Sequence, residues 1–493
     1  MNGLGVVTSL GAVAVFASSS LGQLRVIQAD AVHVGNGTVH APGWIAIEGD
    51  EIVAVGGDMG AMPSDDPEVH WGAITPGLID ANARVERLDA FAEYRVRGGT
   101  VLERVMRGVH SPDQVISCSC SGHALCPVIG THEPLASEGL TCPVCSYPSH
   151  VAADAMAPGL ISVDTYTEAA SEVVPHTRVI DSVNIRGADL DRLVEGGVTT
   201  AYLSPDSTAV IGPRGAVLRT AGRTSRRVIE RESDVHAAIN SAPYFSGPSN
   251  NQPNEGSVTN RSRRPTTRMG VAWVFRKAFH DAAEFARGLT PDGADTAPTE
   301  AFPVLNEVRD GDVGLRIHSR ALNDIESALR LSAEFGMGFT LLEGTEAYGL
   351  IPELREAGVP VVFGPIYMRP SGERTAFDLD FFLFTNEVGA NKLDTLKTLI
   401  DAGIPTALSA QDLRDEDGLA RQAMYAIRYG LAPEDALRAV TLTPAEILGL
   451  DNEIGSLEAG KRADLVLWNG EPFAATAKPV EVVVGGKTVV DRR

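Results

Sequence analysis

Positive charge and long apolar runs are scarce in this sequence, and each of these two shortages excludes a class of protein. The 42 basic residues stand against 64 acidic ones, and the formal net charge of −22 argues against a nucleic-acid-binding surface or a polybasic membrane contact. Beyond residue 21, no stretch is long and apolar enough to span a bilayer, so we expect no stable membrane span in the mature chain. No internal repeat of fixed period is present.

The remaining composition is that of a soluble globular α/β protein. The chain has 493 residues, of which 44% are hydrophobic and 22% are charged, so it can bury a large core. This length is too great for one small domain. It suits a (β/α)8 barrel of about 250 residues or more with additional units.

The N-terminus has the pattern of an export signal. Residues 4–21 are apolar and end in small residues, and Ser20 and Gly22 fit a cleavage pattern before Gln23. We therefore predict a signal peptide at residues 1–22 and a periplasmic or other extracytoplasmic location. No basic residue precedes Arg25, whereas export signals normally begin with one, so a cytoplasmic chain with a buried N-terminal strand remains the alternative.

Alternation of apolar and polar residues predicts strands at both ends of the chain. Short strands joined by Gly, Asn and Asp turns are indicated for residues 24–57 and 463–490, and we assign residues 23–73 and 452–493 to one small β-sandwich. Between them, apolar runs alternate with helical periods, as at Val313–His318 followed by Asn323–Phe335. Strand-then-helix repetition predicts parallel βα units, and we assign residues 74–451 to a (β/α)8 barrel.

All five cysteines lie in a short segment, at Cys118, Cys120, Cys126, Cys142 and Cys145. The Cys-Pro-Val-Cys step lets two thiolates reach one tetrahedral ion, and an upstream group completes four ligands. We predict a structural zinc site in a zinc-ribbon-like insertion at residues 112–150. Disulfides are the alternative in an exported protein, although five is an odd number for pairing.

The strand that begins near Ile74 carries two polar residues at its end. Residues two apart on a strand point to the same side, so Asn82 and Arg84 are predicted to face one site. A neutral amide binds metal weakly, and a permanent cation repels it. Two unit charges about 4 Å apart interact by roughly 4 kcal/mol at an effective dielectric near 20, and a divalent ion would roughly double this repulsion.

Several segments in order resemble the amidohydrolase superfamily, near its imidazolonepropionase-like branch. They are Pro76–Asp80, Glu195–Thr200, Gly215–Ala221, Arg264–Gly270, Gly344–Tyr348 and Gly455–Val466. The resemblance implies an α/β fold, a (β/α)8 TIM barrel with a flanking β-sandwich made from both chain ends. It also implies an active site at the carboxyl ends of the barrel strands.

The resemblance also implies where the family's catalytic metal would bind. Asn82 and Arg84 replace a His-x-His pair, whereas His318 matches a histidine ligand. Glu343 stands where the family has histidine, and Gln411 where it has the catalytic aspartate, with Asp412 one residue late. We therefore expect the catalytic metal to be absent.

Three hypotheses follow from the sequence. In the first, the protein is a pseudoenzyme that binds a ligand or has a structural role, with Asn82, Arg84 and Gln411 at the vacated site and an Arg84–Glu343 ion pair in place of the metal. In the second, it is an active hydrolase of carbon–nitrogen bonds with His318, Glu343 and Asp412 as catalytic residues. In the third, the zinc-binding insertion forms an interaction module. A small-molecule ligand and a homo-oligomer are compatible with each.

Overall fold

The computed structural model describes residues 24–85, 171–245, 264–291, 293, 296–366, 392–411, 413 and 418–493. The predicted signal peptide, the cysteine-rich insertion and Asp412 lie outside these residues. Within the described part of the chain, no helix combines the length and apolar character that a membrane crossing requires.

The strands are short and follow the alternating and apolar segments of the sequence. They are β1 (Leu24–His33), β2 (Val39–His40), β3 (Gly43–Glu48), β4 (Glu51–Gly56), β5 (Glu68–Pro76), β6 (Leu78–Ala83), β7 (Val198–Leu203), β8 (Ile211–Arg214), β9 (Ala216–Arg219), β10 (Val228–Glu230), β11 (Val235–Ala238), β12 (Leu315–Ser319), β13 (Thr340–Glu343), β14 (Val361–Phe363), β15 (Thr406–Leu408), β16 (Leu465–Trp468), β17 (Pro479–Val484) and β18 (Lys487–Asp491).

The helices lie mainly between the later strands. They are α1 (Ala188–Glu195), α2 (Ala242–Phe245), α3 (Arg268–Ala286), α4 (Ala301–Asp310), α5 (Leu322–Phe335), α6 (Ile351–Glu356), α7 (Thr395–Asp401), α8 (Leu419–Arg428), α9 (Pro433–Ala439) and α10 (Leu442–Ile447). The Thr267 hydroxyl caps the N-terminus of α3, where it accepts a hydrogen bond from the Gly270 amide at 3.1 Å. Helix α5 ends at Gly336, whose φ of 67° suits a residue without a side chain.

Strands from both ends of the described chain form one eight-stranded sheet. Strand β1 pairs with β3 antiparallel and with β5 parallel, and β5 continues to β16, β17 and β18. Apolar side chains on one side of this sheet form a separate core that includes Ile27, Ile45, Ile74, Leu465 and Leu467. A β-sandwich made from these strands stays a prediction.

The central part of the chain is α/β. Strands β11 to β15 run parallel in sequence order in a six-stranded sheet, and β6 and β7 run parallel in a four-stranded one. Hydrogen bonding between the described strands does not join these two sheets into a closed ring, so the closed barrel stays a prediction.

Alternation along the parallel strands divides their side chains between two cores. Leu341 and Val361 belong to the large core that also contains helix residues, whereas Leu342 and Val362 lie in a small cluster with Ala81 of β6. Residues from the two sheets therefore meet on this second side. The polar residues that follow these strands are brought to the same end of the fold.

Candidate functional site at the strand ends

The five predicted site residues that the structure describes are all buried at the ends of parallel strands. Asn82 lies in β6 and Arg84 follows it, while His318 is in β12, Glu343 ends β13, and Gln411 follows β15. None is more than 4% exposed. The structure brings His318, Glu343 and Gln411 into direct contact through the Glu343 carboxylate.

The Glu343 carboxylate is surrounded by donors. Arg320 donates to both of its oxygens, through Nε to Oε2 and through Nη2 to Oε1 at 3.1 Å. The Gln411 amide donates to Oε1 at 2.5 Å, and His318 Nε2 lies 2.9 Å from the same oxygen. A two-pronged guanidinium contact is the strongest way to hold a buried carboxylate.

This arrangement corrects the predicted Arg84–Glu343 ion pair. Among ion pairs between described residues, the guanidinium partner of Glu343 is Arg320. The physical reason is the register, because His318 of β12 lies opposite Leu342 of β13 and Ser319 lies opposite Glu343, which places Arg320 next to the carboxylate. The alternation Arg316, His318, Arg320 puts two guanidinium groups and an imidazole on one side of β12 and the residue that follows it, and this pattern was available in the sequence.

Asn240 fixes the protonation of His318. Its amide nitrogen lies 2.6 Å from His318 Nδ1 and donates to the His318 carbonyl at 3.0 Å, while its amide oxygen accepts from the Ala242 N–H at 2.8 Å. His318 Nδ1 is therefore an acceptor, which puts the ring proton on Nε2, 2.9 Å from Glu343 Oε1.

Burial and neighbouring charge set the ionisation of this cluster. Burial raises the pKa of the Glu343 carboxyl, but the positive charge of Arg320, the contact with His318 and the charge of Arg84 together outweigh burial and hold this pKa well below its usual range. Burial lowers the pKa of His318, and the Glu343 carboxylate offsets only part of that effect. The cluster therefore contains an ionised Glu343 beside a neutral His318.

A second carboxyl group ties β6 to the end of β15. Asp80 accepts hydrogen bonds from the Ser409 hydroxyl at 2.6 Å and from the backbone amides of Ala410 and Asn82 at 3.1 Å and 3.0 Å. The Arg84 amide also donates to the Gln411 carbonyl at 3.2 Å. These bonds hold Asn82, Arg84 and Gln411 at one place. The sequence analysis did not identify Asp80 or Ser409 as site residues.

Two further polar side chains are buried here without hydrogen-bond partners. Within the described part of the chain, neither amide atom of Asn82 and neither ring nitrogen of His236 has a hydrogen-bond partner, although both residues are 0% exposed. His236 lies on β11 opposite Arg316, and its ring centroid is 6.2 Å from that of His318. Buried polar groups normally have partners, so these atoms are available to a bound polar molecule.

Backbone conformation is unusual at the two residues that contact each other across the site. Glu343 has φ of 67° and Gln411 has φ of 54°, both in the left-handed region that favours glycine. Each such residue costs on the order of 1–3 kcal/mol and persists only when its surroundings determine it. Here the contacts around the Glu343 carboxylate provide that constraint.

Comparisons with known proteins decide the family. A sequence model of the amidohydrolase family matches residues 195–489. The chain belongs to this amidohydrolase family. The amidohydrolase tasK of Hapsidospora irregularis is 26% identical over 68% of this chain and 35% of its own length. An imidazolonepropionase of Maricaulis maris is 26% identical over 43% of this chain and 47% of its own length, so these matches span half or less of each relative.

The solved amidohydrolase structure from Thermotoga maritima MSB8 supports the fold. It has a TM-score of 0.67 and 22% sequence identity, covering 95% of this chain and 100% of that one. At this identity the likeness concerns the fold alone, and it indicates a TIM-barrel-like α/β architecture for the family member described here.

The described residues at the family's metal positions do not fit a divalent cation. His318 Nδ1 faces the Asn240 amide and His318 Nε2 carries a proton, so neither nitrogen offers a free lone pair. The Glu343 oxygens accept from Arg320 and Gln411. Arg84 adds a positive charge close enough to lower the pKa of Glu343.

Among the described residues, one group of three side chains has the spacing that a metal would need, and it lies on helix α3. His280, Asp281 and Glu284 form this group, but Asp281 is already ion-paired with Lys277. It includes none of Asn82, Arg84, His318, Glu343 and Gln411, which together we call the strand-end site.

His236 makes the stability of the fold depend on pH. Burial, followed by the neighbouring His318 ring and the charges of Arg84 and Arg316, lowers the pKa of His236 well below the ordinary value near 6.5. Below pH 6.5 the unfolded chain therefore binds a proton that the folded chain does not. The free energy of unfolding then falls by up to about 1.4 kcal/mol per pH unit for this group until its folded pKa is reached.

We expect His236→Asn to remove this contribution. Urea unfolding at several pH values between 7 and 5 should give a shallower decrease of stability for the variant than for the wild type. His280→Asn makes the same exchange at a side chain that is 65% exposed and is the matched control for the substitution itself. Equal slopes for the wild type and His236→Asn would contradict the assignment of a buried neutral His236.

Proposed function

We propose that this member of the amidohydrolase family has exchanged its hydrolytic metal centre for a metal-free polar network and binds a small polar molecule at the strand ends. The observation that carries the proposal is the Glu343 carboxylate, which Arg320 and Gln411 contact together with His318. Glu343 stands at a metal-binding position of the family, and its carboxylate is instead held by donors of the protein itself.

In a family member that binds a metal ion at these positions, the ion makes hydroxide from bound water and polarises the carbonyl group of the substrate. In this chain Arg84 contributes fixed positive charge at the same place, and it cannot release a proton or make hydroxide. The unpartnered amide of Asn82 and ring of His236 offer both donors and acceptors. This set favours recognition of a polar molecule over activation of water.

The proposal is tested by measuring how much metal the protein contains and which atoms bind that metal. We expect purified protein to contain about one zinc ion per chain, held by four of the cysteines between Cys118 and Cys145. X-ray absorption at the zinc edge should then give a first shell of sulfur at about 2.3 Å. This measurement uses the wild-type chain, so its result does not depend on whether a variant folds.

Two variants separate the proposal from an active hydrolase. Zinc should be lost in the Cys142→Ser, Cys145→Ser double variant and retained in His318→Asn. Nitrogen and oxygen neighbours around zinc in the wild type, with zinc lost in His318→Asn, would instead support a working metal centre that uses His318, Glu343 and Asp412. In that case, a panel of cyclic and acyclic amides would be tested for metal-dependent hydrolysis.

A further inference from the structure

A cavity separate from the residues of the strand-end site lies where helices α1 and α8 meet the sheet strands β16 and β17. Its volume is about 260 Å³, and we call it the Trp468 cavity. Apolar side chains form its walls, among them Leu193, Val198, Leu419, Trp468 and Phe473, and each of these is less than 5% exposed. The Trp468 and Phe473 rings meet edge to face with centroids 5.4 Å apart.

The polar residues that line the Trp468 cavity are mostly cations. Arg192, Arg421, Lys478 and Arg492 contribute four positive charges, and Glu195 contributes one negative charge. Arg492 is paired with Glu195 at 2.9 Å and Arg192 with Asp189 at 3.7 Å. Lys478 forms no ion pair with any residue in the described ranges. Lys478 and the neighbouring Arg492 therefore bring positive charge to the cavity lining in a chain whose net charge is −22.

Helix α8 adds to this positive potential. Gly418 and the first residues of α8 line the cavity, and Gly418 has no side chain to cap the helix. The first amides of a helix carry partial positive charge and attract anions. Here they act together with the side-chain cations around the same cavity.

We infer that the Trp468 cavity binds a small aromatic carboxylate, with the aromatic ring against the Trp468 and Phe473 walls and the carboxylate beside Lys478 and Arg492. The cavity is close to the lower end of small-molecule sites, which begin near 300 Å³, and is too small for a folded partner. Apolar walls with a few charged groups fix both the position and the orientation of such a ligand.

The experiment uses phenylacetate as the probe and isothermal titration calorimetry as the measurement. Phenylacetate should bind the wild-type chain, and the Lys478→Gln, Arg492→Gln double variant should bind it at least about fivefold more weakly, since charged rim groups contribute on the order of 1 kcal/mol. Both substituted residues are exposed and outside the strand-end site. Binding of the neutral analogue 2-phenylethanol should be equal in the two proteins.

A charge-matched control separates local recognition from net charge. Arg276→Gln with Lys487→Gln removes the same two charges from a half-buried and an exposed position, neither of which lines the cavity, and it should leave phenylacetate affinity unchanged. Ala474→Trp should fill the cavity and abolish binding. Failure of phenylacetate to bind the wild type, equal weakening in the control, or full binding by Ala474→Trp would each overturn the inference.

Discussion

Replacing Glu343 by Ala is expected to lower the free energy of unfolding by about 3–5 kcal/mol, as is usual when one partner of a buried ion pair is removed. Arg320 is 1% exposed, so without Glu343 its guanidinium would keep a buried charge and lose the carboxylate that it contacts through two nitrogens. The Gln411 amide would lose one acceptor at the same time and keep the Gly364 carbonyl, to which it donates at 3.0 Å. Urea unfolding followed by circular dichroism measures the change.

Two variants establish the cause of this loss. Glu334→Ala breaks the ion pair with Arg276, in which both side chains are about 40% exposed, and it should change stability by less than about 1 kcal/mol. The double variant Glu343→Leu, Arg320→Met removes both charges and should recover much of the stability, because buried pairs are often replaceable by apolar residues. A loss below about 1 kcal/mol for Glu343→Ala would mean that the network contributes little to folding.

Much of the central architecture was predictable because its strands and helices have clear apolar periods. The helix predicted at Asn323–Phe335 is observed as Leu322–Phe335, and the strand predicted at Val313–His318 as Leu315–Ser319. The apolar run at residues 404–408 contains the short strand Thr406–Leu408. Local periodicity therefore identified these elements to within two residues or so.

The partners within the site were less predictable, because they depend on register between strands far apart in sequence. The family resemblance, added to the spacing of Asn82 and Arg84, placed these two residues with His318, Glu343 and Gln411 at the same end of the fold. It could not decide whether Arg84 or Arg320 would reach Glu343, since that choice depends on the pairing of β12 with β13. His236 and Asn240 were missed because neither residue belongs to a recognised motif.

The second large effect is expected at Gly215, which opens a segment first noted only as part of the family resemblance. A Cβ at this position would lie 2.1 Å from the Tyr202 hydroxyl and 2.3 Å from the ring carbon that carries it. Tyr202 is 0% exposed, and its ring packs 3.8 Å from the Arg316 guanidinium. The ring therefore has no free space into which it can move.

Gly215→Ala should consequently destabilise the fold by about 3 kcal/mol, the upper end of the usual range for overpacking a core. Gly338→Ala is the matched control, since nothing lies within 4 Å of its added Cβ, and it should be neutral or slightly stabilising. Tyr202→Phe removes the nearer of the two clashing atoms and should partly restore the stability of Gly215→Ala. Because Arg316 also donates to the Ala81 carbonyl at 2.9 Å, displacement of Tyr202 would disturb the strand that carries Asn82. The glycine thus supports the strand-end site through packing, and equal melting temperatures for the wild type and Gly215→Ala would refute that role.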